Sequence, residues 1–345
     1  MDFPPRPSSR PPRRRGPERA SSDWYEAPST DAGEADDLEV PTFAVDAGGT
    51  GDHSAVEDGG PPRRSSRDDG PARSPRRPRG RRSETVARVL WAVPWLVFAV
   101  TVIAVGGGVF ALAMIGLAWG ALIELFRMTQ RANPFQLVAF AAVAGMIVAA
   151  HFGGTLQILL VGAAFFPPML GAALARPSLH NVTWAMAVTV FGVVWIGLPF
   201  AHAVLLRDVP THGAALLVDV LVATFFTDTF AYMGGRMFGQ RPLAPMVSPN
   251  KTIEGLGIGI AGGILGFWLA GLYQDWLSGP EALLFGLCIA ILAPLGDLFE
   301  SMIKRDLDVK DTGRMLGPHG GLLDRLDAVL FTVVAGYYLA LAIVV

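Results

Sequence analysis

Residues 301–327 read SMIKRDLDVKDTGRMLGPHGGLLDRLD. On either side, near 281–299 and 322–344, lie apolar stretches long enough to cross a bilayer. Hydrocarbon does not tolerate such a density of charge, so the segment belongs at a membrane surface or in a wet cavity between helices. Ionisable residues in that setting are functional candidates. The lysines sharpen the point. The chain has 25 arginines and only three lysines. Lys304 and Lys310 fall in this segment, and Lys251 falls in the other polar loop.

Working outward, charge divides the chain in two. Residues 1–88 hold 16 Arg and 16 Asp or Glu, whereas residues 89–345 hold 12 Lys or Arg and 14 Asp or Glu. The net charge of −2 averages these regimes and says little about partners. Residues 1–87 are rich in Pro, Arg, Ser, Gly and Asp. They cannot bury enough apolar surface to offset the entropy of ordering, so a disordered tail is expected there, with a transmembrane domain over 88–345. No apolar run follows the charged start, which excludes a signal peptide. The Arg-dense RSPRRPRGRR (73–82) reads as a topology signal, or as a patch for anionic headgroups. The single Cys288 excludes a disulfide framework and a Cys-based zinc site.

From Val89 onward the hydropathy pattern predicts an all-α, polytopic membrane protein of about nine transmembrane helices. They are expected near 89–105, 107–126, 136–150, 154–174, 182–205, 214–234, 256–274, 281–299 and 322–344. With the tail in the cytosol, the cytosolic loops carry Arg127, Arg131, Arg176, Arg236, Arg241, Lys251, Lys304, Arg305, Lys310 and Arg314, and the outer loops only Arg207. That puts both polar loops, 235–255 and 300–321, on the cytosolic face of a plasma (inner) membrane protein. No inverted repeat of the transporter kind is visible.

Four carboxylates stand out. Asp297 and Glu300 are three apart at the end of the eighth helix, and Asp324 and Asp327 are three apart at the start of the ninth. That spacing places each pair on one helix face. Facing pairs would make an oxygen-rich site suited to Mg2+, with a second cation left open. For Asp324 and Asp327 the bland alternative is acidic charge placed at a helix start for the dipole, with Arg325 as a partner. Glycines at 320 and 321 let the backbone approach a ligand, and a helix start offers N–H groups to an anion. Lys304, Arg305 and Lys310 could contact phosphate or simply anchor the topology. In the loop SPNKTIEG (248–255), Ser248, Asn250, Lys251 and Thr252 read either as phosphate ligands or as a helix cap. Asp228 lies inside the sixth span, where a carboxylate needs a cavity, a cation or a partner. Asp219, nearer the outer end, is expected at the interface.

Ser301-x-Ile303-Lys304-Arg305, Lys310-Asp311-x-Gly313 and Leu316-Gly317-x-His319-Gly320-Gly321-Leu322-x-Asp324-Arg325-Leu326-Asp327 together resemble the signature of the phosphatidate cytidylyltransferases. The SPNKT-x-EG loop and Asp228-x-x-Ala231-Tyr232-x-x-Gly235-Arg236-x-Phe238-Gly239 resemble the same family, over roughly 89–345. The resemblance implies an enzyme joining CTP and phosphatidate into CDP-diacylglycerol with release of pyrophosphate. Asp297, Lys304, Arg305, His319, Asp324 and Asp327 would be catalytic, with Asp297, Asp324 and Asp327 on Mg2+. Asp228, Ser248, Asn250, Lys251, Thr252, Lys310, Asp311, Gly320, Gly321 and Arg325 would bind substrate. Expected partners are CTP, phosphatidate and membrane lipid, with a homodimer as the protein assembly entertained and no nucleic acid. A transporter, a CTP-dependent lipid kinase and a CDP-alcohol phosphotransferase are the competing readings. The last is disfavoured because no DGxxAR motif occurs and the carboxylates read DxxD.

Overall fold

The computed structural model describes residues 81–313, 315, 316 and 320–343. Its helices are α1 (Arg81–Val105), α2 (Gly107–Met128), α3 (Gln136–Phe152), α4 (Thr155–Ala164), α5 (Phe166–Leu174), α6 (Val182–Gly192), α7 (Leu198–Arg207), α8 (Gly213–Phe238), α9 (Ile253–Gly271), α10 (Gly279–Asp306) and α11 (Leu323–Ile343). The described strands are β1 (Pro242–Ala244) and β2 (Ser248–Thr252), an antiparallel pair between α8 and α9. The tail expected over 1–87 lies outside the described residues as far as residue 80, and α1 begins at Arg81.

Among the described residues, seven stretches are long and apolar enough to cross a membrane: 107–128, 155–174, 182–207, 213–238, 253–271, 279–306 and 323–343. The apolar helices over 93–105 and 136–152 are shorter. The expected count of nine is therefore approximate, although each expected span has a helical counterpart. Two spans are interrupted. Pro167 and Pro168 follow the break between α4 and α5, where a missing backbone N–H costs nothing at a helix start. Between α6 and α7 the helix widens to a π-helical stretch, Val193–Gly197. Gly106 and Gly107, both at positive φ, turn the chain between α1 and α2. The Arg207 guanidinium donates to the carbonyl of Ile103 at 2.7 Å, which fastens the end of α1 to α7.

Three helices, α8, α9 and α10, approach closely enough to need small residues. A methyl group at Gly259 would lie 2.7 Å from Ala231 Cβ and 2.9 Å from the Thr227 carbonyl oxygen, both on α8. One at Gly263 would lie 2.7 Å from Ala290 Cβ on α10. The glycine stripe of α9 thus seats that helix against α8 and α10 at backbone distance, as small residues do in membranes. The result fixes the ends of α8, α9, α10 and α11 relative to one another, and the polar loops hang from those ends.

Candidate active site

The short β-hairpin is held from several sides. Thr252 Oγ1 accepts from the Gly255 N–H at 3.1 Å and so caps α9. Glu254 accepts from the backbone N–H groups of Gln240 and Arg241 at 3.0 and 3.2 Å. Arg305, at the end of α10, donates through Nε to the Val247 carbonyl at 3.2 Å. These contacts swing the hairpin over α10, where Lys251 forms an ion pair with Asp297 at 2.5 Å. The two polar loops therefore share one site, although some 50 residues separate them in sequence.

On the other flank, α10 and α11 cross at Gly296, where a methyl group would stand 2.5 Å from the Asp327 carbonyl oxygen. This crossing brings the two carboxylate pairs together. Lys304 donates to Glu300 and to Asp324, each at 2.9 Å. Asp324 also accepts from the backbone N–H groups of Thr312 at 3.0 Å and Gly321 at 2.9 Å. The carboxyl groups of Glu300 and Asp327 face each other, and Asp297 lies close to Asp327. Ser301 donates to Asp297 at 3.3 Å. Asp228, on α8, is exposed and lies within electrostatic reach of Asp297 and Lys251. It opens onto accessible space, as a carboxylate inside a span requires.

The sequence reading missed Glu124. This residue of α2 is fully buried. Its Oε2 accepts from Thr312 Oγ1 at 3.1 Å and from the Leu323 N–H at 2.9 Å. Glu124 thus reaches across the bundle to bond the first residue of α11 and the loop before it. Gly313 and Gly321 leave the space it occupies: methyl groups there would stand 2.5 Å and 2.7 Å from its carboxylate oxygens. The available signal was a lone carboxylate within an apolar span, the same cue that singled out Asp228. Asp219, expected at the interface, is instead fully buried. Tyr273 and Gln274 donate to it at 3.1 and 2.6 Å, which makes burial tolerable.

The structure gathers Asp228, Lys251, Asp297, Lys304, Arg305, Asp324 and Asp327 at one end of the bundle. Thr252 serves as a helix cap. Ser248 and Asn250 lie on β2, with Asn250 exposed, and Lys310 and Asp311 are exposed beside Thr312. Gly320 has φ +87°, and its carbonyl accepts from the Leu316 N–H at 3.1 Å, closing the turn before α11. His319 lies outside the described residues. Arg325 borders an apolar groove on the other side of α11.

Among the described residues, no three of His, Cys, Asp or Glu are arranged to hold a metal ion between them. The Asp324 oxygens are engaged by Lys304 and two backbone N–H groups. Among the described residues Lys251 pairs with Asp297, and Lys304 pairs with Glu300 and Asp324, while Asp228 and Asp327 stand beside them. Asp297 and Asp327, whose carboxyls lie within electrostatic reach of each other, fit Mg2+. This ion takes one or two carboxylates and completes its shell with water and phosphate oxygens.

A family model described as the cytidylyltransferase family matches residues 86–343. The chain is 36% identical over 165 residues to a phosphatidate cytidylyltransferase of Mycobacterium leprae (strain TN), covering 48% of this chain and 53% of that one. It is 34% identical over 232 residues to a phosphatidate cytidylyltransferase of Helicobacter pylori (strain ATCC 700392 / 26695), covering 66% of this chain and 78% of that one. It is 41% identical over 171 residues to the Escherichia coli (strain K12) protein "Uncharacterized protein YnbB", covering 46% of this chain and 54% of that one. The chain thus spans about half the length of the first and third of these relatives.

Proposed function

This chain belongs to the cytidylyltransferase family, and from that premise we propose that it joins CTP to phosphatidate, forming CDP-diacylglycerol and pyrophosphate. The observation that carries the reading is the meeting of Asp228, Asp297 and Asp327 with Lys251 and Lys304 at one end of the apolar helices. One substrate has acyl chains and belongs in the bilayer, whereas the other is a soluble triphosphate. A polar site at the helix ends is where their phosphates can meet. The reading puts the protein in the plasma membrane, and the distribution of basic residues supports a cytosolic site.

In this reading an oxygen of the phosphatidate phosphate attacks the α-phosphorus of CTP. The new P–O bond forms as the bond to the β-phosphate oxygen breaks, and pyrophosphate leaves with that electron pair. Both reactants are anions, so the protein's task is to position them and offset their charge. Lys251 stands over Asp297 and can turn its ammonium to phosphate. Lys304 is aimed by Glu300 and Asp324. Arg305 offers a guanidinium while anchoring the hairpin. Asp297 and Asp327 would hold Mg2+, with Asp228 on the flank. When bound, the ion would polarise phosphoryl oxygens and screen the developing charge.

The test is to incubate the purified full chain with α-labelled CTP, phosphatidate and Mg2+ and to identify the products. A labelled CDP-lipid with stoichiometric pyrophosphate is expected, and chelation of divalent cations should stop the reaction. Folded protein that forms CDP and a phosphorylated lipid, or no lipid product, would overturn the reading.

A further inference from the structure

Beside the site an apolar groove of about 430 Å3 runs between α1, α2, α7, α8 and α11. A helix of 3.6 residues per turn has two faces, and α11 uses both. Leu322, Leu326, Val329 and Val333 line the groove, while Asp324 and Asp327 point the other way, to α10. On α8, Leu217, Leu221 and Phe225 form the facing wall, and Asp228 continues the same stripe one turn further. At its Leu322 end the groove and the polar site lie on opposite faces of α11, with Arg325 next in sequence to Asp324. Arg325 is the one charged side chain among the described residues lining the groove.

Size and access identify the occupant. From Leu322 to Val333 the wall rises about 16 Å at 1.5 Å per residue. That is half of a hydrocarbon core of roughly 30 Å, the depth of one leaflet. Trp95, Leu96 and Phe98 on α1 and Phe225 on α8 are exposed at its edge, so the groove opens sideways to lipid. The far end is closed by Leu217 and Ala203, both buried.

We propose that this groove holds an acyl chain of the phosphatidate substrate, with the lipid phosphate at the level of Arg325 and Asp228 and with Ala203 at the chain's terminus. The assignment rests on the function proposed above. It makes Ala203 a determinant of chain length: a larger side chain there shortens the groove.

Two measurements test it. The first compares dipalmitoyl with dioctanoyl phosphatidate for the full chain and for Ala203→Phe. The ratio of kcat/KM, long over short, should fall at least tenfold in the variant, and an unchanged ratio would overturn the assignment. The second needs neither turnover nor a variant. Phosphatidate carrying a diazirine midway along one chain is photolysed with the wild-type protein in mixed micelles, and the labelled peptides are mapped. Label on 326–333 or 217–225, displaced by excess unlabelled phosphatidate but not by phosphatidylcholine, is expected. Label there that both lipids displace equally marks a bystander bilayer lipid and overturns the assignment, as does label confined to other surfaces. A wild-type protein that makes no CDP-lipid would overturn the proposed function alone, and the displacement pattern would still decide the groove.

Discussion

A buried carboxylate without bonded donors is costly, and Glu124 and Asp219 each accept from two. Glu124 bonds Thr312 and the Leu323 N–H. Glu124→Ala would leave both donors buried and unsatisfied, at about 1–3 kcal/mol each. It should lower the melting temperature and cut kcat at least tenfold, while Glu124→Gln, which keeps an acceptor, should be milder. Thermal unfolding in detergent and steady-state rates check this. Asp324 and Asp327 should separate in the same way. Asp327→Asn removes a proposed metal ligand, so activity should collapse and its Mg2+ requirement shift. Asp324→Asn weakens the support of Lys304 and of the loop, so activity should fall without a change in Mg2+ dependence. A Mg2+ titration of both variants distinguishes the roles. Lys251→Ala should lower kcat/KM by roughly ten- to a hundredfold, the worth of a charge-assisted phosphate contact of about 1.5–3 kcal/mol. The two carboxylate pairs were legible in the sequence because their spacing of three fixes a shared face. Glu124 carried the same cue as Asp228, a lone carboxylate in an apolar span, but its partners lie some 190 residues away, so no local spacing gave it a task.

At the scale of elements, hydropathy located the helices but not their irregularities. A π-helical stretch inside the span 182–207 keeps the same apolar composition as its flanks, so composition carries no trace of it. The glycines of α9 were visible as a run, but which helix they admit was not. Their contacts make a sharp prediction. Gly259→Leu would force α9 away from Ala231 and the Thr227 carbonyl. Because the hairpin carrying Lys251 leads directly into α9, the Lys251–Asp297 pair should loosen as well. The variant should unfold at lower temperature and lose activity together. Gly257→Leu, where a methyl group would meet nothing within 4 Å, should change neither by much.

For the whole molecule, the separation of basic residues between the two faces was the most readable feature, and it yielded an orientation to test. In a chain with Cys288 replaced by Ser, a cysteine at Asp308 should react with impermeant maleimide only from the cytosolic side. One at Thr211 should react only from the outside. The opposite pattern would reverse the orientation. A chain starting at Arg81, where α1 begins, should insert and retain its activity, as judged by membrane extraction and turnover. The lateral mouth of the groove also has a kinetic consequence. A substrate that enters from the side never leaves the bilayer, so the protein samples a two-dimensional solution. Its rate should follow the mole fraction of phosphatidate in the leaflet and ignore the bulk amount. Adding inert phospholipid at a fixed quantity of substrate should slow the enzyme, by surface dilution alone.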